Sequence, residues 1–78
     1  MSQFYFDIWD GEALVVDEEG LDLASRRAAE IEAALSLADI AKQREPLASS
    51  DGLAINVRDA DGPVLTATFV YGKVRSIN

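Results

Sequence analysis

The chain contains no cysteine and no histidine among its 78 residues. Without cysteine there are no disulfides, thiolate zinc sites or thiol nucleophiles. Without histidine the chain lacks the usual general base near neutral pH and the commonest metal ligand. Serines are present, but no nucleophile motif accompanies them, and a domain of this size has little room for a pocket of ~300 Å³. We therefore expect a non-enzymatic protein with no catalytic residue, no metal site and no cofactor.

Long apolar runs are also missing. No segment approaches the ~20 apolar residues that a bilayer-spanning helix needs. The first three residues carry no basic charge, and Asp7 and Asp10 interrupt the apolar residues that follow, unlike a signal peptide. The sequence predicts a cytoplasmic protein that makes no membrane contact.

Basic residues are absent from the first third of the chain. The net charge is −7, from 14 acidic and 7 basic residues, and residues 1–24 contain no lysine or arginine. A negative field repels phosphate backbones, so we expect no nucleic-acid partner. The acids here form either two solvated loops or a patch for a basic protein partner: Asp10, Glu12, Asp17, Glu18, Glu19 and Asp22.

What the chain does have is four segments with the alternation of β-strands, at residues 4–9, 13–16, 53–58 and 64–71. Asp10-Gly11 indicates a hairpin between the first two. Alternation places on the inner face Phe4, Phe6, Ile8, Leu53, Ile55, Val57, Leu65, Ala67 and Phe69. It places on the outer face Tyr5, Asp7, Trp9, Asn56, Arg58, Val64, Thr66, Thr68 and Val70. Asp7 and Arg58 should therefore form an ion pair or occupy diagonal positions.

One helix is predicted over residues 23–44, with Asp22 as its N-cap and Pro46 ending it. Helical spacing predicts a core stripe of Ala24, Ala28, Ile31, Leu35 and Ala38, widened by Ala34 and Ala41. On the opposite side lies a second row, which either contacts another helix or is a set of scattered exposed apolar residues: Ala29, Ala33, Leu37 and Ile40.

The element order ββαββ predicts one α+β domain over residues 1–78. Placing the third strand beside the first makes every neighbouring pair antiparallel and gives the helix a right-handed crossover. The predicted sheet is therefore four-stranded and antiparallel, in the order 2-1-3-4, with the helix packed on one face. The tail from residue 72 is expected to fray.

Three motifs in this order resemble a family of short, stand-alone alphaproteobacterial proteins built on a domain of unknown function. They are FYFDIWDG at residues 4–11, DEEG at residues 17–20 and VRDADG at residues 57–62. Trp9 departs from the pattern, in which a polar residue or histidine is expected. The resemblance implies a bacterial origin and transfers no functional residue.

Asp59-Ala60-Asp61-Gly62 also matches the opening of a calcium-binding loop. A full EF-hand loop needs a bidentate glutamate at its twelfth position, where this chain has Val70. The motif therefore predicts a hairpin turn, in which Asp59 bonds its own backbone and the glycine supplies a positive φ.

Self-association is expected through one of three surfaces. The fourth strand carries no charge from residue 64 to 72 and would be a sheet edge, exposing Thr66, Thr68 and Val70 to a second copy unless residues 73–78 fold back over it. The outer face offers Tyr5 and Trp9, and the helix row offers Leu37 and Ile40.

The sequence thus predicts a non-enzymatic protein-interaction or regulatory accessory module that forms a homodimer. The alternative is a domain that binds a small ligand or divalent cation through its acidic N-terminal third. A rise in melting temperature with calcium or magnesium would favour the alternative, since a ligand that binds only the folded state must raise it.

Overall fold

The computed structural model describes residues 2–10, 13–43, 53–70 and 73–77, and for residues 43, 69, 70 and 73–77 the backbone alone. These ranges contain one helix, α1 (Arg26–Gln43). The strands are β1 (Ser2–Asp10), β2 (Leu14–Val15), β3 (Leu21–Leu23), β4 (Leu53–Asp59), β5 (Gly62–Val70) and β6 (Lys73–Ile77). Within these ranges, no helix is both long enough and apolar enough to cross a bilayer.

All six strands join one antiparallel sheet, in the order β2-β1-β4-β5-β6, with β3 also paired to β1. The α+β class is confirmed. Without β3 and β6, the remaining order β2-β1-β4-β5 is the predicted 2-1-3-4. β2 pairs with the C-terminal half of β1 and β3 with its N-terminal end, so both short strands lie along β1.

The prediction that the C-terminal tail frays is wrong for residues 73–77. Residues Lys73–Ile77 form β6, which pairs antiparallel with β5 from Val70 back to Thr66. The backbone groups of β5 that were expected to meet a second copy are therefore bonded within the chain. The alternative in which the tail folds back over this edge is the one observed.

The core lies between α1 and the inner face of the sheet. From the sheet it takes Phe4, Leu53, Ile55, Val57, Leu65 and Ala67, as alternation predicted. From the helix it takes Ala29, Ala33, Leu37 and Ala41. The predicted core stripe of the helix is therefore wrong except at Ala41, which is buried: Ile31 and Leu35 are 50% and 62% exposed. The alanines of the other row let the helix backbone approach the sheet closely, which larger side chains would prevent.

The helix begins three residues later than predicted because residues Leu21–Leu23 are taken by β3. Its N-cap is Ser25, whose Oγ accepts a hydrogen bond from the Ala28 amide at 3.1 Å. Asp22, the predicted cap, instead lies opposite Gln3 in the β1–β3 pair.

The turn between β4 and β5 is as predicted. The Asp61 amide donates to Asp59 Oδ1 at 2.8 Å, and Gly62 has a φ of 124°. Just after it the register shifts, because Arg58 pairs with Pro63 but Val57 pairs with Leu65. Val64 is left as the extra residue of a β-bulge and packs against the core, although strict alternation predicts that it faces outward.

Candidate functional site

The outer face of the sheet is the candidate site, because α1 covers only the inner face. Sheet register sets the neighbours on this face. Trp9 lies between Leu14 on β2 and Ala54 on β4, and Ala54 in turn lies opposite Thr68. This row is apolar at the β2 edge and becomes polar towards β5.

The middle of the outer face holds an ion pair stacked on an aromatic ring. Arg58 Nε donates to Asp7 Oδ2 at 2.8 Å, and the guanidinium carbon lies 4.5 Å from the centroid of the Tyr5 ring. Tyr5 lies directly opposite Arg58 and Asp7 lies diagonally, so the predicted Asp7–Arg58 pair is confirmed. The hydrogen bond to Asp7 raises the pKa of Arg58 above its ordinary value, so this side chain stays charged.

Asp17 connects this pair to the edge of β1. Its Oδ2 accepts the Phe6 amide at 3.1 Å, and its Oδ1 accepts the amides of Glu19 and Gly20 at 3.0 and 3.1 Å. Phe6 lies between the β3 and β2 pairings, where β1 has no strand partner on that side in the described chain. The Asp17 carboxylate thus takes the place of a strand carbonyl and bridges the gap.

The backbone of Asp17 is tied to the ion pair as well. Its amide donates to Asp7 Oδ1 at 2.9 Å, and its carbonyl accepts from Arg58 Nη2 at 2.9 Å. The hydrogen bond from the Gly20 amide, with those from Phe6 and Glu19, lowers the pKa of Asp17 despite opposing partial burial. Through these hydrogen bonds both carboxylates hold the β2–β3 link against the sheet.

The structure places some of the predicted interface residues in the core and others on the outer face. Leu37 is fully buried in the core, and Ile40 packs partly buried against it, so neither forms the expected exposed row. Thr66 Oγ1 donates to Asn56 Oδ1 at 2.9 Å on the outer face, where Thr68 also lies. The Val70 side chain lies outside what the structure describes.

Tyr5 and Trp9 both lie on the outer face, as predicted, and Trp9 is 39% exposed. The structure adds a feature that we did not predict, an apolar corner made of Trp9, Leu14, Val15 and Val16. The three β2-side residues are 50%, 60% and 50% exposed. The register with β1 puts Leu14 beside Trp9 on the outer face and Val15 beside Ile8 on the inner one, and Val16 follows β2 directly.

The backbone of β2 is open on the side away from β1. The Asp10 amide donates to the Ala13 carbonyl and the Phe6 amide donates to Asp17, so the amides of even-numbered residues in β1 point towards β2. Val15, opposite Ile8, therefore bonds to β1, and the amides and carbonyls of Leu14 and Val16 point outward. No strand of the described chain pairs with that side.

In the sequence Asp17 is only one of several loop acids. A local signal was present, because an aspartate followed three residues later by glycine is typical of a turn in which the carboxylate caps the following amides. Nothing in the sequence indicated the contact with Phe6, which is eleven residues away. The strand pattern of residues 13–16 does not indicate how exposed their side chains are, so it did not predict the apolar corner.

The outer face also has an open depression of about 590 Å³, beside the bulge. Its polar lining comes from Asp7, Asn56, Arg58 and Thr66. Across the described ranges, no three acidic side chains lie close enough together to hold a metal ion. The N-terminal acids therefore form no such group among these residues, and Glu12 lies outside the described residues.

Comparison with known proteins gives a family. No curated protein and no solved structure matches the chain. Residues 3–70 match the family described as Domain of unknown function (DUF6894), which takes in every element from β1 to β5 and the outer-face network. The chain therefore belongs to this family of domains of unknown function, as its three motifs suggested.

Proposed function

We propose that this domain is a non-enzymatic protein-interaction module whose contact surface is the outer sheet face at the apolar corner. The observation that carries the proposal is the corner itself. Trp9 and Leu14 lie opposite each other on a face that α1 leaves uncovered, and Val16 follows β2 directly; each of the three is between 39% and 50% exposed. Contiguous exposed apolar groups with a polar border are typical of protein contact sites.

The open backbone of β2 supports the same conclusion. An edge strand with unpaired amides and carbonyls accepts an added strand readily. At the opposite end of the sheet the edge strand is β6, which pairs with β5 and carries Lys73 and Arg75, charged residues of the kind that oppose the addition of another strand. The exposed edge and the exposed apolar side chains therefore coincide at one corner of the sheet.

A non-enzymatic role is supported by the state of the two central carboxylates. Asp7 accepts hydrogen bonds from Arg58 and from the Asp17 amide, and Asp17 accepts three amides. Carboxylates held in this way position the β2–β3 link, and to act as a base or nucleophile either would first have to give up those bonds.

The sequence offered three surfaces for a homodimer, and two of them are occupied by contacts within the chain. Leu37 is in the core, and the backbone edge of β5 is bonded to β6. A second copy that docks on the apolar corner is the remaining route. The mass of the protein in solution tests it directly.

Site-specific photo-crosslinking in the source cell tests the proposed contact surface. A benzoylphenylalanine side chain is placed at Leu14 on the corner, which is 50% exposed, or, as a matched control, at Leu35 on the solvent side of α1, which is 62% exposed. We expect covalent protein adducts from position 14 and none from position 35. No adduct at position 14, or equal yields at both positions, would contradict the proposal.

A second candidate function is small-ligand binding, which the outer-face depression favours. A molecule seated there would meet Asn56, Arg58 and Thr66. Melting curves with calcium, magnesium and a panel of small polar metabolites test this alternative. A concentration-dependent rise in melting temperature that the variant Thr66→Val abolishes would support it over protein binding.

A further inference from the structure

Resting on the proposed function, we infer that the partner presents an extended segment in which basic residues flank apolar ones, laid along β2 at the apolar corner. Three observations define this occupant: the exposed apolar side chains, the open backbone edge of β2 and the sign of the charge around it. Each restricts a different property of the partner.

Charge requires the partner to be basic. Along the chain, Asp10 precedes the β2 part of the apolar corner, and Asp17, Glu18 and Glu19 follow it. The chain has no lysine or arginine before Arg26. Arg58 lies on the outer face, but its guanidinium already donates hydrogen bonds to Asp7 and to the Asp17 carbonyl. Glu18 and Glu19 are exposed and have no ion pair among the described residues. A basic segment gains attraction here that an acidic one would lose.

The same charge argues against a second copy as the occupant. Each chain carries a net charge of −7, and its acids are concentrated where two copies would meet at this corner. Like charges brought together at an interface weaken association.

The backbone edge requires the segment to be extended. The outward amides and carbonyls of Leu14 and Val16 alternate with the inward ones of Val15, which is the pattern that a neighbouring strand satisfies. Side chains of an added strand would alternate between the two faces of the sheet, so apolar ones on the outer face lie beside Leu14, which separates them from Trp9 on β1. Such a partner buries a small interface area, so its binding is weak. Because the attraction is partly electrostatic, the binding also depends on salt.

Trp9 is the single tryptophan of the chain and lies in the corner, so its fluorescence reports occupation directly. The whole chain is titrated with a synthetic nonapeptide in which lysine alternates with valine. Matched peptides carry glutamate in place of lysine, or serine in place of valine. We expect a saturable blue shift with the lysine–valine peptide, with a Kd at least about tenfold lower than for either matched peptide. Raising the salt from about 50 to about 500 mM should weaken this binding.

Variants identify the contact. Replacing both Leu14 and Val16 by serine should raise the Kd about tenfold. Replacing both Ile31 and Leu35 by serine, on the solvent side of α1, should leave the Kd unchanged. The double variant E18Q/E19Q should weaken binding of the lysine–valine peptide and reduce its dependence on salt.

Equal binding of the glutamate and lysine peptides, or no saturable shift with any of the three, overturns the inference. The crosslinking at Leu14 then shows whether the proposed function fails with it. An adduct to an acidic or neutral protein, or to a second copy, keeps the contact surface and overturns only the basic partner. No adduct at Leu14 overturns both.

Discussion

Arg58 and Asp7 sit on diagonal positions of β4 and β1 and are joined by a 2.8 Å hydrogen bond from Nε to Oδ2. The residue directly opposite Arg58 is Tyr5, whose ring lies beneath the guanidinium. One arginine thus holds two residues of β1 and, through the Asp17 carbonyl, the link between β2 and β3. The outer face is organised around this side chain rather than around a set of ligand-binding acids.

Replacing Asp7 by asparagine should lower the free energy of unfolding by about 1–3 kcal/mol. Asp7 is only 8% exposed, and the variant would bring an amide NH₂ group against the donors of Arg58 and Asp17. Urea denaturation measures the change. The control is Asp39→Asn at an exposed position of α1, which should change stability by less than about 0.5 kcal/mol. Equal effects of the two substitutions would show that the ion pair does not stabilise the fold.

The stability contributed by Asp17 should depend on pH. Its folded-state pKa lies below the ordinary value of 3.8, so its contribution is present above that value and is lost as pH falls through the lower folded pKa. Asp17→Asn should therefore be less stable than the wild type by about 1 kcal/mol at about pH 7. The difference should shrink by about pH 3, as urea denaturation at the two pH values will show.

Glu18→Gln is the matched control for this pH dependence, because Glu18 is an exposed neighbouring acid with no hydrogen bond from its side chain among the described contacts. Its effect on the free energy of unfolding should be less than about 0.5 kcal/mol. If the difference in free energy of unfolding between the wild type and Asp17→Asn is the same in acid, the amide contacts do not depend on the charge of the carboxylate.

Gly20→Ala should lower the free energy of unfolding by more than about 1 kcal/mol. Gly20 has a φ of 76°, and an added Cβ would lie 2.9 Å from Gln3 Cγ, from Gln3 Nε2 and from Tyr5 Cε2. In a Gln3→Ala background part of this crowding is removed, so the penalty should be smaller. A double-mutant cycle of denaturation curves measures the coupling, and a cycle with no coupling would contradict the close approach.

Leu37 and Leu35 provide a test of the helix orientation. Leu37→Ala should cost about 2–5 kcal/mol because Leu37 is completely buried and leaves a cavity. Leu35→Ala should cost less than about 0.5 kcal/mol, since this side chain is 62% exposed. Thermal or urea unfolding of the two variants decides the orientation, and the reverse ranking would restore the core stripe predicted from the sequence.

Local patterns were sufficient for much of the fold. Alternation along residues 4–9 and 53–58 assigned the inner and outer side chains correctly, since successive side chains of a strand must point to opposite faces. Asp59 and Gly62 specified their turn, because one caps an amide and the other tolerates a positive φ. The rules for strand connection then selected the order of the four predicted strands, and with it the neighbourhood of Asp7 and Arg58.

Tertiary structure decided what these local patterns left open. The helix is apolar on two opposite sides, and only the close fit of Ala29 and Ala33 against the sheet selects the buried one, leaving Ile31 and Leu35 exposed. The cap of α1 and the presence of β3 depend on pairing with β1, and β6 on pairing with β5. The sequence by itself determined the elements and the faces of the long strands, because those follow from nearest-neighbour geometry. The helix orientation, the role of Asp17 and the apolar corner were decided by contacts between residues far apart in the chain, which periodicity does not encode.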